Sequence, residues 1–193
     1  MDNPELKLSR FLLQKYSDII NEQERRTIGE IKALVSGNDL SVQSLVQDLK
    51  EKDYSFEKDY EKVLRKLFDF VKKEIIFVNA DFGVNYWLTP KEVLEQKVAD
   101  DEDLAAFVCS AIKALGDENA EVIVAELDNL KTHTFVMTQL KDKYIIIDPA
   151  QNHAFEEFLG KKEKIIEKYD FEKQKIKNFL YKYNSQKYEQ FLD

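Results

Sequence analysis

Apolar residues return every third or fourth position through most of the first 115 residues, the spacing of one helix face. Leu8, Phe11, Leu12, Tyr16, Ile19 and Ile20, continued by Ile28, Ile31, Leu34 and Val35, predict one long helix over 5–36, ended by Ser36-Gly37-Asn38. Asp39 or Ser41 can cap a short second helix carrying Val42, Leu45, Val46 and Leu49. A third helix is expected from about 56 to 77, with Phe56, Tyr60, Val63, Leu64, Leu67 and Val71 inward, followed by a loop from Asn79 to Asn85 containing Gly83. Thr89-Pro90 opens a short helix: Thr caps, Pro needs no N–H at the first helical position, and Glu92 completes a capping box. The most regular stripe is Leu104, Phe107, Val108, Ala111, Ile112 and Leu115. Asp100, Asp101, Glu102 and Asp103 stand at its start and Gly116 at its end.

Beyond this helix the period drops to two. Glu121–Leu127, Thr132–Leu140 and Lys143–Ile147, rich in Val, Ile, Thr, Phe and Tyr, predict three strands. Residues 161–169 look helical, and 175–183 fit helix or strand. The expected class is α+β. The expected division is an N-terminal helical segment over 1–52, a core over 53–160, and a Lys- and aromatic-rich C-terminal extension over 161–193.

Strand parity brings two chemically active residues together. A two-residue turn at Lys141-Asp142 pairs Leu140 with Lys143 and sets Phe135 opposite Asp148. His133 shares a face with Phe135, so His133 and Asp148 become diagonal neighbours, about 7–8 Å apart at Cα. A turn of odd length would separate them. A His oriented by a carboxylate is the acid–base half of a nucleophilic triad, whose third member would sit well at a helix N-terminus.

Charge and cysteine content narrow the classes. The chain has 193 residues, a net charge of −8 and one Cys. One Cys excludes an internal disulfide and a multi-Cys metal site and fits a reducing compartment. No 18-residue apolar run or signal-type segment is present, so the expected location is cytoplasmic, away from membranes. Excess acid argues against nucleic acid as a partner. The balance reverses locally: residues 161–187 hold nine Lys against four acids, with Tyr169, Phe171, Phe179, Tyr181 and Tyr183 interleaved. Such a stretch binds RNA or an acidic partner, or is a solvated Lys face over packed aromatics; the second is the reading taken.

The order Trp87-Leu88-Thr89-Pro90-x-Glu92-x-Leu94, an acidic helix start, His133-Thr134-Phe135-Val136 in a strand, a hairpin, then Ile146-Ile147-Asp148-Pro149 resembles the transglutaminase-like family over residues 60–150. The resemblance implies a papain-like core, one helix packed on an antiparallel sheet, with a Cys at the helix start, a His on a strand and an Asp on the next. The family's helix commonly opens Gly-Asp-Cys-x-Asp; here it reads Ala99-Asp100-Asp101-Glu102-Asp103, which puts Asp101 at the nucleophile's place. His133 and Asp148 match the other two positions. Cys109 is no substitute. It lies eight residues past Asp101, about 12 Å along the helix, and reads as a small buried side chain.

Trp87 and Asp103 are expected at the cleft, although core packing also accounts for Trp87. His153 reads as a loop side chain. The four acids also make an ordinary helix cap, and Asp101, Asp103, His133 and Asp148 form a donor set for a divalent cation. The resulting expectation is a non-catalytic binding or scaffold protein with no cofactor and no assigned metal, taking a protein or peptide partner. The alternative is an amide hydrolase or acyl transferase that works without a thiol, with metal assistance.

Overall fold

In a computed structural model, residues 3–20, 27–79 and 86–192 are described. The side chains expected at Tyr16, Ile19 and Ile20, and most of the expected 79–85 loop, lie outside the described residues. The predicted first helix is in fact two, α1 (Pro4–Ile20) and α2 (Ile28–Ala33). Thr27 is extended, at φ −72° and ψ 158°, and forms a capping box with Glu30. A helix cannot run through a residue that has left helical φ/ψ to cap the next one. The Thr27-x-x-Glu30 signal lay inside the apolar run and was masked by it.

Asp39 caps α3 (Leu40–Leu49), accepting the Ser41 and Val42 N–H groups. Helix α4 (Phe56–Glu74) ends three residues earlier than expected: Ile75 is extended, and Ile76–Phe77 forms β1, parallel to β2 (Val98–Ala99). Its buried stripe is Tyr60, Val63, Leu64, Leu67, Phe68 and Val71. Phe56 is 38% exposed and stacks on Tyr60. The predicted Thr89/Glu92 capping box opens α5 (Pro90–Gln96).

Helix α6 (Asp101–Ala114) is the centre of the fold. Its sequence shows one stripe, yet every residue from Asp103 to Ile112 is buried. The small residues Ala105, Ala106, Cys109 and Ser110 on its other sides let neighbours close in all round. Gly116, at φ 102°, ends it in a Schellman arrangement, with Asp117 N–H donating to the Ile112 carbonyl.

The three predicted strands form with the predicted bounds: β3 (Glu121–Leu127), β4 (Thr132–Leu140) and β5 (Lys143–Ile147). Leu140 pairs with Lys143 across the Lys141-Asp142 turn. After β6 (Leu159–Gly160), α7 (Lys162–Lys168) and β7 (Asp170–Phe171) comes β8 (Gln174–Tyr183), a strand, which resolves the open choice for that stretch. Strand β9 (Tyr188–Gln190) pairs with β8. The sheet order is β6-β5-β4-β3-β8-β7, so residues from the C-terminal stretch lie directly against β3. Its lysines meet acids across the strands: Lys177 with Glu126 at 2.9 Å, and Lys182 with Glu121 at 3.2 Å and Glu189 at 3.1 Å.

The sheet curls into a half-barrel with two cores. Val122, Val124, Val136, Ile145 and Ile147 on one face join the main helical core; Ile123, Ala125, Phe135 and Ile146 on the other meet Phe158, Ile165, Tyr169 and Phe171. Among the described residues no helix is long and apolar enough to cross a membrane.

Candidate functional site

Three elements converge at the N-terminal end of α6. Asp101 is the first residue of that helix. Its Oδ2 accepts the Thr134 backbone N–H at 2.7 Å and lies 2.8 Å from Nδ1 of His133, on β4. Nε2 of the same ring lies 3.0 Å from Oδ2 of Asp148, just past β5. The ring and the Asp148 side chain are each only 1% exposed. Strand parity and helix register thus place Asp101, His133 and Asp148 side by side.

Each imidazole nitrogen faces a carboxylate oxygen, so each is best served by an N–H. That is the imidazolium form. Burial works against the charge, but Asp148 and Asp101 outweigh it and raise the His133 pKa to about 9. Asp148 moves the other way. Burial pushes its carboxyl up, while the His133 charge and hydrogen bonds from His133, Tyr169 and Gln151 hold it below the usual carboxylate range. Tyr169 O–H donates to Oδ2 at 2.7 Å, Gln151 Nε2 to the same oxygen at 2.8 Å, and Ala150 N–H to Oδ1 at 3.1 Å.

Gln151, Tyr169 and Phe171 complete the site, and sequence reasoning missed all three. The Phe171 ring stacks on His133, with centroids 3.6 Å apart and planes at 14°. Aromatic residues interleaved with lysines were the only trace of Tyr169 and Phe171, and that signal points equally to packing. His153 lies in the loop after Asp148, its ring nitrogens 2.8 Å and 2.9 Å from the carbonyl oxygens of Asp148 and Ala154.

The other acids of the burst have different roles. Asp100 caps the helix, accepting the Asp103 N–H at 3.0 Å. Asp103 is buried, pointing inward to accept the Leu88 N–H. Burial, then neighbouring carboxylates, push Asp100 and Asp103 well above the usual carboxylate range; the same causes, Asp101 first among the neighbours, bring Glu102 to about 9. Carboxylate oxygens of Asp100, Asp101 and Glu102 lie within 4.8 Å of one another.

A small cleft of about 40 Å³ opens beside Asp101 and His133, with Phe77, Leu127 and Phe171 as apolar walls. Trp87 and Asp103 do not line it. Trp87 is stacked near Tyr183 in the main core, with centroids 6.1 Å apart. The Cys109 thiol is fully buried, and burial pushes its pKa up.

A central helix whose N-terminus meets a His and an Asp on adjoining strands of a curled antiparallel sheet is a transglutaminase-like, papain-like fold. Among solved structures, LapG of Legionella pneumophila superposes with a TM-score of 0.54 at 15% identity, covering 87% of this chain and 90% of that chain. The calcium-bound form of Legionella pneumophila LapG gives a TM-score of 0.53 at 15% identity, covering 92% and 87%. The likeness at such identity is one of fold. No protein-family model and no curated protein sequence matches the chain.

Proposed function

We propose that this chain keeps a transglutaminase-like fold without thiol chemistry and acts as a binding or scaffold protein. The observation that carries the reading is the position of His133 between two carboxylates, with Asp101 at the helix end where a nucleophile would stand. A general base needs a free lone pair near neutral pH. Both His133 nitrogens face carboxylate oxygens, and with its pKa raised to about 9 the ring is mostly protonated there. A carboxylate is a weak nucleophile toward an amide, and Asp101 is already accepting hydrogen bonds.

The test is Asp101→Cys in a Cys109→Ala background. The new thiol would stand at a helix N-terminus beside an imidazolium, and both favour the thiolate. Iodoacetamide labelling is expected to reach its plateau well below about pH 8.5, where a free cysteine titrates. Labelling that rises only there would show that the helix end and His133 do not act together on position 101. The unmodified protein is expected to show no amidase, peptidase or amine-incorporation turnover; turnover abolished by His133→Ala would overturn the reading.

One observation favours a second reading, hydrolysis or acyl transfer assisted by a divalent cation. The clustered oxygens of Asp100, Asp101 and Glu102 suit a hard, oxygen-liganded ion, and LapG has been solved with calcium. The fit is incomplete because Asp101 is already engaged by Thr134 and His133. Binding would displace protons from Asp100 and Glu102. Calorimetric titration with calcium in two buffers of different ionisation enthalpy would show that release; no binding heat would remove this reading.

A further inference from the structure

We propose that the cleft beside Asp101 receives the guanidinium group of an arginine presented by a partner polypeptide. This rests on the binding-protein reading and names the chemistry of the partner.

The argument begins with charge. Asp101 and Asp148 bring two negative charges to one imidazolium, which leaves one negative charge unbalanced. Asp148 is sealed at 1% exposure, so the excess reaches the surface only at Asp101, whose side chain is 18% exposed. Its Oδ2 is used by Thr134 and His133, and Glu102 hydrogen-bonds to the same carboxylate. A carboxylate offers roughly four lone-pair sites, which leaves capacity for one more donor.

Phe77, Leu127 and Phe171 line part of the cleft, beside the polar Asn79, Asn129, Lys131, Thr132 and Glu172. At the rim Lys131 and Glu172 cancel in formal charge, so the net sign is set by the Asp101–His133–Asp148 group, with its one excess negative charge.

Size and hydration select the head group. The cleft holds about 40 Å³, and one water needs at least roughly 10–15 Å³ on the same scale. About three water-sized places match the head of an arginine. A lysine ammonium is more strongly hydrated than a guanidinium, so it loses more on moving from water to the Asp101 carboxylate. The net charge of −8 steers a basic segment toward the protein as a whole.

The probe is the fluorescein-labelled pentapeptide Gly-Ser-Arg-Ser-Gly, blocked at its C-terminus, beside versions with Lys or citrulline at the centre. Anisotropy is read on the full chain in chelator-containing buffer, which removes calcium as a competitor. The Arg peptide is expected to bind about tenfold or more tightly than the citrulline peptide, the size of one charge-assisted hydrogen bond, and more tightly than the Lys peptide. Asp101→Asn should abolish that preference. A second measurement needs no variant: methylguanidinium, and not methylammonium, should shift the His133 ring protons in NMR. Equal binding of the Arg and citrulline peptides, or no methylguanidinium response, would overturn arginine recognition and leave the binding-protein reading standing. Cleavage or modification of the bound Arg peptide, seen by mass spectrometry, would overturn the binding-protein reading and leave arginine recognition standing.

Discussion

The ion pairs of His133 should make stability fall on the alkaline side of neutrality by an amount the structure sets. The ring's pKa rises from 6.5 to about 9 on folding. At about 1.4 kcal/mol per pKa unit this is about 3 kcal/mol, and a ring only 1% exposed needs no discount for solvent screening. The pKa is raised in the folded state. The contribution is therefore complete below 6.5 and is lost as pH rises from there through 9. Glu102, raised from 4.5 to about 9, pushes the same way, so the wild-type profile alone is not diagnostic. The diagnostic quantity is the difference between wild type and His133→Gln in urea unfolding at pH 6, 7.5 and 9.5. The wild-type advantage should shrink by about 3 kcal/mol across that range. A constant difference would refute the account, and so would a ring titration by proton NMR with its midpoint at or below 6.5.

Tyr169→Phe removes the hydroxyl that donates to Asp148 at 2.7 Å; it should cost about 1.5–3 kcal/mol, the worth of a hydrogen bond to a charged group. It should also move the acid limit of stability upward, since a lowered Asp148 pKa contributes stability that disappears as pH falls through the folded value; urea melts between pH 2 and 6 read both effects. Thr27→Ala removes one half of a capping box and should cost about 1 kcal/mol locally. Because α2 buries none of its residues, the effect should appear as lost amide protection over 28–33 with little change in the global midpoint.

The parts of the fold read correctly from sequence are those where periodicity and a local stop signal agree. Strands β3, β4 and β5 alternate cleanly and are bounded by turns, and the even-numbered Lys141-Asp142 turn then fixes which residues share a face. His133 and Asp148 followed from that parity, and Asp101 from its place at the helix start. Elsewhere two signals competed and the weaker was decisive. Thr27 and Glu30 interrupted a continuous apolar stripe. Helix α6 is buried beyond its stripe because its remaining sides are small, which a search for large apolar residues does not register. Tyr169 and Phe171 reach His133 and Asp148 only because the C-terminal segment returns to the sheet, and no local pattern in 161–187 carries that information.

The same geometry suits an acid at the head of the site. A thiolate at the N-terminus of a helix, beside an imidazolium, is stabilised by two things: the helix dipole and the neighbouring positive charge. A carboxylate at position 101 meets both demands, and it adds an acceptor for the Thr134 N–H that ties α6 to β4. Its ion pair orients His133, together with the hydrogen bond to Asp148 and the packing of Tyr169 and Phe171 around the ring. A carboxylate there is a weak nucleophile toward an amide. Electrostatic architecture and reactivity therefore separate at a single side chain. For that reason Asp101→Cys bears on chemistry and Asp101→Asn on charge, while the rest of the site is left as it stands.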